Sequence, residues 1–154
     1  MLKKILIFII FISLSSCGYE TIHSIKNSIN YDFSISELSF TGERDVNLKI
    51  KEKLNNYTLS KKDKNFILKI STNEEKDILA KNAAGDPTRF KTTVTFIIEV
   101  LLQNNSKNNF KIIEDFSYDN MSNKFDLKTY EREIRANLAI TASDKLIFKL
   151  SNIQ

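Results

Sequence analysis

Cys17, the one cysteine of this 154-residue chain, closes the run Leu14-Ser15-Ser16-Cys17. The run ends an apolar N-terminal stretch, and its spacing is that of a lipobox. A signal peptidase cutting before Cys17 leaves the thiol at the first mature position, where a diacylglycerol can be joined to it through a thioether. The leader has the three parts such chemistry needs: Lys3 and Lys4, then the apolar run Ile5 to Leu14, then small residues before the cut. That apolar run is well short of the roughly 20 residues needed to span a bilayer as a helix. An ordinary cleaved signal with a chance cysteine is the alternative, but an exported chain with a single thiol has nothing within itself to pair it with. One acyl chain holds a protein only marginally, at about 0.8 kcal/mol per buried methylene, so stable anchoring takes two or more. Gly18, rather than the aspartate that favours inner-membrane retention, follows Cys17. The expected location is the outer membrane, lipid-anchored on its periplasmic side.

Other chemistry is sparse. His23 is the only histidine and has no carboxylate or thiol cluster near it in sequence, so no His-centred triad or general base is expected. With one cysteine and one histidine, a Cys/His metal site is not expected either. Gly18, Gly42 and Gly85 are too scattered for a phosphate-cradling loop. Glu74, Glu75 and Asp77 form an acidic cluster that reads as a solvated strand end or turn. The chain is therefore expected to be no enzyme, with no catalytic residues, no metal and no cofactor. Removing Lys3 and Lys4 with the leader lowers the formal net charge from +4 to about +2, too little to argue for nucleic acid. The remaining candidates are Arg89 and Lys91, which alternate onto the polar side of a long strand, and Lys128, Arg132 and Arg135 further on. Guanidinium forks match phosphate oxygens. An exposed sheet face carrying Arg89 and Lys91 could hold a phosphorylated glycolipid; the plainer reading is a soluble polar face.

The elements that would position these residues follow from periodicity. Residues 18–30 lack a period and read as a tether, or as a segment lying on the domain through Tyr19, Ile22 and Ile25. Tyr31 to Ile35 alternate as a half-buried strand, and the phase then shifts near Ser36-Glu37 so that Leu38 and Phe40 take over, which predicts a bulge or a strand end. A helix is expected from about Glu43 to Tyr57, with Val46, Ile50, Leu54 and Tyr57 as its apolar stripe. Phe66, Leu68 and Ile70 share a face of a strand that continues towards Leu79. From Phe90 to Leu102 the even positions are mostly apolar and the odd ones mostly polar, the pattern of a sheet covered on one side. Asn104 to Asn109 reads as a polar turn, and Phe110, Ile112, Phe116 and Tyr118 mark a fourth strand. A long helix from about Asp126 to Asn152, with Asp126 as its N-cap, carries its apolar stripe from Leu127 to Ile153. Its opposite face is expected to hold Lys128, Glu131, Arg132, Arg135, Asp144 and Lys145.

The order β-α-β-β-β-α gives an α+β fold: a two-layer sandwich with a four-stranded mixed sheet and two helices on one face. The domain organisation is a lipoprotein signal peptide at 1–16, a lipidated N-terminus and tether at 17–30, and the α/β domain at 31–154.

This arrangement resembles the LPS-assembly lipoprotein (LptE) family. The resemblance rests on the lipobox, the mature start Cys17-Gly18-Tyr19, the element order, and Thr88-Arg89-Phe90 leading into the alternating strand. The acidic-basic, alanine-containing stretch from Tyr130 to Ala139 adds to it. It covers nearly all of the mature chain, carried more by order and spacing than by identities. It implies an outer-membrane lipoprotein that binds and plugs the β-barrel of the lipopolysaccharide translocon, assisting its assembly and lipopolysaccharide insertion into the outer leaflet. The implied partners are that barrel, lipopolysaccharide, and the outer membrane through the anchor. Arg89 and Lys91 become lipopolysaccharide-binding candidates because they fall at the corresponding strand start. The alternative is a free-standing periplasmic lipid- or ligand-binding lipoprotein, auxiliary to a lipid transporter.

Overall fold

The computed structural model describes residues 31–59, 61–102 and 106–153. Cys17, the leader and the tether therefore lie outside the described residues, as do Asn104 and Asn105. The elements run β1 (Ser34–Gly42), α1 (Arg44–Thr58), β2 (Asn65–Lys81), β3 (Pro87–Leu102), β4 (Lys107–Asp119) and α2 (Lys124–Ser151). The strands form one mixed sheet in the order β1-β2-β3-β4. β1 pairs parallel with β2 after a crossover through α1, and the other two pairings are antiparallel. This is the α+β architecture expected from the sequence.

The phase shift in β1 is a bulge. Ile35 pairs with Phe66 and Glu37 with Ile67, leaving Ser36 as the extra residue. Beyond it Leu38 and Phe40 come back into phase and lie partly buried against the core. α1 buries Val46, Ile50 and Leu54, as its spacing requires. The Tyr57 ring stacks on Phe33 with centroids 4.6 Å apart. The core gathers Phe66, Leu68 and Ile70 from β2 and alternate residues of β3 from Phe90 to Val100. α2 adds Leu127, Ile134, Leu138, Ala142, Leu146 and Leu150.

Three expectations shift. The cap of α2 is Asn123, not Asp126: the Asn123 side chain accepts the Phe125 N–H at 2.9 Å, and Asp126 falls in the first turn. The polar run before Phe110 is not all turn. Lys107 to Asn109 already pair with Leu101 to Glu99, because backbone pairing on an edge strand does not need apolar side chains. The acidic cluster is not a strand end either. β2 continues to Lys81, so Glu74, Glu75 and Asp77 sit within it.

The start of α1 is built across elements. Gly42 has φ +92° and lies so close to β2 that a Cβ there would meet the Thr72 carbonyl oxygen at 1.9 Å. Glu43 makes no side-chain cap. Instead its N–H donates to the Thr72 hydroxyl at 2.9 Å, and Asn47 Nδ2 donates to the Thr41 carbonyl at 3.2 Å. The buried Thr72 thus takes over the capping role for a helix that is not its own.

Candidate functional site

β2 and β3 outrun β1, which ends where Gly42 meets Thr72. Past that point β2 keeps pairing with β3 almost to Lys81, and β4 follows β3 out to Asp119 opposite Arg89. On this three-stranded extension the side facing the helices changes character. Along β2, inward Phe66, Leu68 and Ile70 give way to Thr72, Glu74 and Lys76. The start of α2 supplies the complement. Arg135 Nη1 donates to Glu74 Oε1 at 3.2 Å, and Lys76 Nζ donates to Glu131 Oε1. The Tyr118 hydroxyl donates to the same Glu131 oxygen at 2.9 Å and lies 3.2 Å from the Thr92 hydroxyl. Lys76 also sits 3.9 Å from the centre of the Phe90 ring. A second pair holds α2 to β4: Lys145 Nζ lies 2.6 Å from the buried Glu114 Oε1, an ion pair outside hydrogen-bonding geometry, and that oxygen has no hydrogen-bond partner among the described residues.

These groups set each other's ionisation. Burial alone would raise the Glu131 carboxyl, but hydrogen bonds from Lys76 and Tyr118 and the charges of Lys76 and Arg135 outweigh it and hold its pKa below the ordinary value. Burial pushes the Tyr118 phenol up, so it stays a neutral donor at any ordinary pH. Opposite charges are matched one to one, which is the arrangement of a clamp. Glu131, Arg135 and Lys145 therefore do not form a purely solvent-facing side of α2. The signal in the sequence was the row Thr72, Glu74, Lys76 on the inward phase of β2, set against Glu131 and Arg135 one helical turn apart.

Arg89 and Lys91 lie on the helix-free face of the same extension. Each has a carboxylate beside it: Arg89 Nε is 3.9 Å from Asp119 and Lys91 Nζ is 3.8 Å from Asp77. Glu75 and Asp115 flank Thr93 in the next row. The two cations thus share their end of the face with four carboxylates. Their ion pairs are exposed and long, each worth at most about 1 kcal/mol, so a phosphate could compete for them. Lys128 and Arg132 are exposed on α2. Towards the middle of the open face Ile97 is exposed between Ser71 and Lys111, and Ile113 is exposed beside Thr95.

The apolar core between helices and sheet is tightly packed. Within its apolar part a void of about 10 Å³ is lined by Ile50, Ile70, Phe96, Ile98, Ile112, Ala142, Ser143 and Leu146, room for about one water. At the start of α1 a polar cleft of about 340 Å³ opens between Glu43 to Val46, Glu74 and Arg135. Among the described residues no three His, Cys, Asp or Glu side chains gather as a metal site, and no helix is long and apolar enough to cross a membrane.

The folded domain has counterparts among solved structures. Lipoproteins share this fold. Rare lipoprotein B from Shewanella oneidensis superposes with a TM-score of 0.60 at 17% identity, over 77% of this chain and 93% of that one. A minor lipoprotein from Acinetobacter baumannii gives 0.58 at 12% identity, over 79% and 91%. Lipoprotein B from Nitrosomonas europaea gives 0.55 at 14% identity, over 79% and 83%. At these identities the likeness establishes the fold. No family model and no curated protein matches the sequence.

Proposed function

We propose that this chain is a non-enzymatic outer-membrane lipoprotein, anchored through Cys17 on the periplasmic side. Its domain seats on and plugs the β-barrel that delivers lipopolysaccharide to the outer leaflet, assisting barrel assembly and lipopolysaccharide insertion. One conjunction carries the reading: a lipobox at Cys17 precedes a β-α-β-β-β-α domain of a kind that solved lipoproteins share. The surface suits the role. A plug in a water-filled lumen needs its own closed core and a largely polar exterior, and the packed interior and helix-free sheet face meet both needs. Arg89 and Lys91 are the proposed contacts for lipopolysaccharide phosphates, with Asp119 and Asp77 as the groups to be displaced. The alternative of a free-standing lipid carrier is less well supported, since the void in the apolar core is only about 10 Å³ and the 340 Å³ cleft beside α1 is lined by charged groups, Glu43, Arg44, Asp45, Glu74 and Arg135.

The test is isolation of the native, lipidated protein in gentle detergent. The expected result is a stable complex with an outer-membrane β-barrel; recovery as monomer alone overturns the barrel reading. Within such a complex, Arg89→Glu should weaken lipopolysaccharide binding without altering the fold, and unchanged affinity removes Arg89 from the site.

A further inference from the structure

The end of the domain where the chain enters has a surface of its own. β1 and β2 begin there, since Ser34 pairs with Asn65. β3 ends there and β4 begins there, since Phe66 pairs with Leu102 and Leu101 with Lys107. Both helices finish there: Tyr57 of α1 stacks on Phe33, and Lys64 Nζ donates to the Ser151 carbonyl at the end of α2. Large apolar side chains stand out on this end, with Leu59 76% and Phe148 60% exposed. Phe148 forms a shallow cleft of about 390 Å³ with Phe110, Ile153, Lys149, Asn108 and Asn152. The same end carries lysines: Lys62 pairs with Asp32 at 3.2 Å and Lys107 with Glu99 at 3.1 Å, Lys64 bonds the Ser151 carbonyl, Lys149 lies over the Phe110 ring, and Lys61 is exposed next to them with Asp63 nearby in sequence. Apolar tips on an end that also carries lysines are the composition of a surface that rests in the headgroup region of a bilayer, where lysine stems lie along apolar surface and the ammonium groups reach phosphates.

Chain length favours the same end. Thirteen residues separate Cys17 from Tyr31. Fully extended they reach at most about 45 Å. The sixteen-residue β3 is about 50 Å long, so an anchor at Cys17 lets the end bearing Tyr31 meet the bilayer with a slack tether, whereas an upright domain would bring the β2–β3 hairpin tip to it only at nearly full extension. We infer that this end, through Leu59, Phe148 and the lysines it carries, docks on the phospholipid surface to which the chain is tethered. The inference rests on the lipid-anchor reading of Cys17 and is independent of the barrel.

The experiment uses the full lipidated chain in vesicles of phosphatidylethanolamine and phosphatidylglycerol doped with lipids carrying a headgroup nitroxide. Acylation of Cys17 leaves an introduced cysteine as the only free thiol. A fluorophore is placed through Lys61→Cys at the near end or through Ala84→Cys in the distant hairpin turn. Quenching should be several-fold stronger at the first position and should drop when Phe148→Asp and Lys149→Glu are added, with unchanged circular dichroism. Equal quenching at the two positions in vesicle-bound protein overturns the docking and spares the anchor. Protein that fails to float with the vesicles overturns both.

Discussion

Two glycines with nearly the same backbone angle carry different loads. Gly42 and Gly85 have φ of +92° and +89°. A Cβ at Gly85 meets nothing within 4 Å, whereas one at Gly42 strikes the Thr72 carbonyl and would push β1 away from β2. Gly85→Ala should therefore lose only the conformational preference, about 1–2 kcal/mol. Gly42→Ala adds overpacking and should lose about 2–4 kcal/mol. Urea unfolding of both variants checks the order, and equal losses would mean that the close approach at Thr72 costs nothing. Glu131 supplies the pH-dependent counterpart. Its folded pKa lies below its unfolded one, so its stabilisation is complete above the ordinary glutamate value and disappears as pH falls through the lower folded value. Glu131→Gln should cost about 1–2 kcal/mol at neutral pH, because Lys76 and Tyr118 lose a charged acceptor. Its stability gap to the parent chain should close in acid. A gap that stays constant from neutral pH into acid would show that the carboxylate charge is not what holds α2 to β2.

At the scale of elements, period-2 and period-3.6 patterns were enough to place four strands and two helices. The bulge could be read as well, because a strand buried on one face cannot absorb an extra residue without a visible change of phase. What could not be read were contacts between elements. The cap of α1 comes from Thr72, twenty-nine residues away. The inward turn of Glu131 and Arg135 depends on β2 outrunning β1, a length that no local pattern in α2 records. Lys107 to Asn109 look like turn because an edge strand can pair its backbone with polar side chains. The bulge gives a sharp test. Removing Ser36 leaves Phe33, Ile35, Leu38 and Phe40 alternating inward without interruption, and the pairs Ile35–Phe66 and Glu37–Ile67 become consecutive. Deletion of Ser36 should cost no more than about 1 kcal/mol, the Ser36 hydroxyl bond to the Phe66 carbonyl included. Deletion of Ser39, one turn of the pleat further on, throws Phe40 out of phase with its neighbours and should cost several times as much. Chemical denaturation of the two deletions decides it; equal losses would mean that the bulge is needed for the twist of β1.

At the scale of the whole molecule, the proposed anchor and the domain can be tested separately. One core draws residues from all four strands and both helices. It makes the described domain a single cooperative unit. The candidate chemistry is divided the same way. The proposed anchor at Cys17 rests on a short linear motif, whereas the surroundings of Arg89 and Lys91 depend on which carboxylates the sheet register brings alongside. Asp119 and Asp77 come from two different strands, so their proximity emerges only with the fold. Cys17→Ser tests the division. The variant should accumulate as uncleaved or unanchored protein and leave the outer-membrane fraction, because the acyl chains supply the membrane affinity that the domain surface alone does not. Its thermal unfolding midpoint should match that of the parent chain within error, if the core built from Phe33 to Leu150 is self-sufficient. Normal outer-membrane fractionation of Cys17→Ser would contradict the anchor. A lowered midpoint would show instead that the N-terminal segment contributes to the folded core, and that the tether is part of the domain.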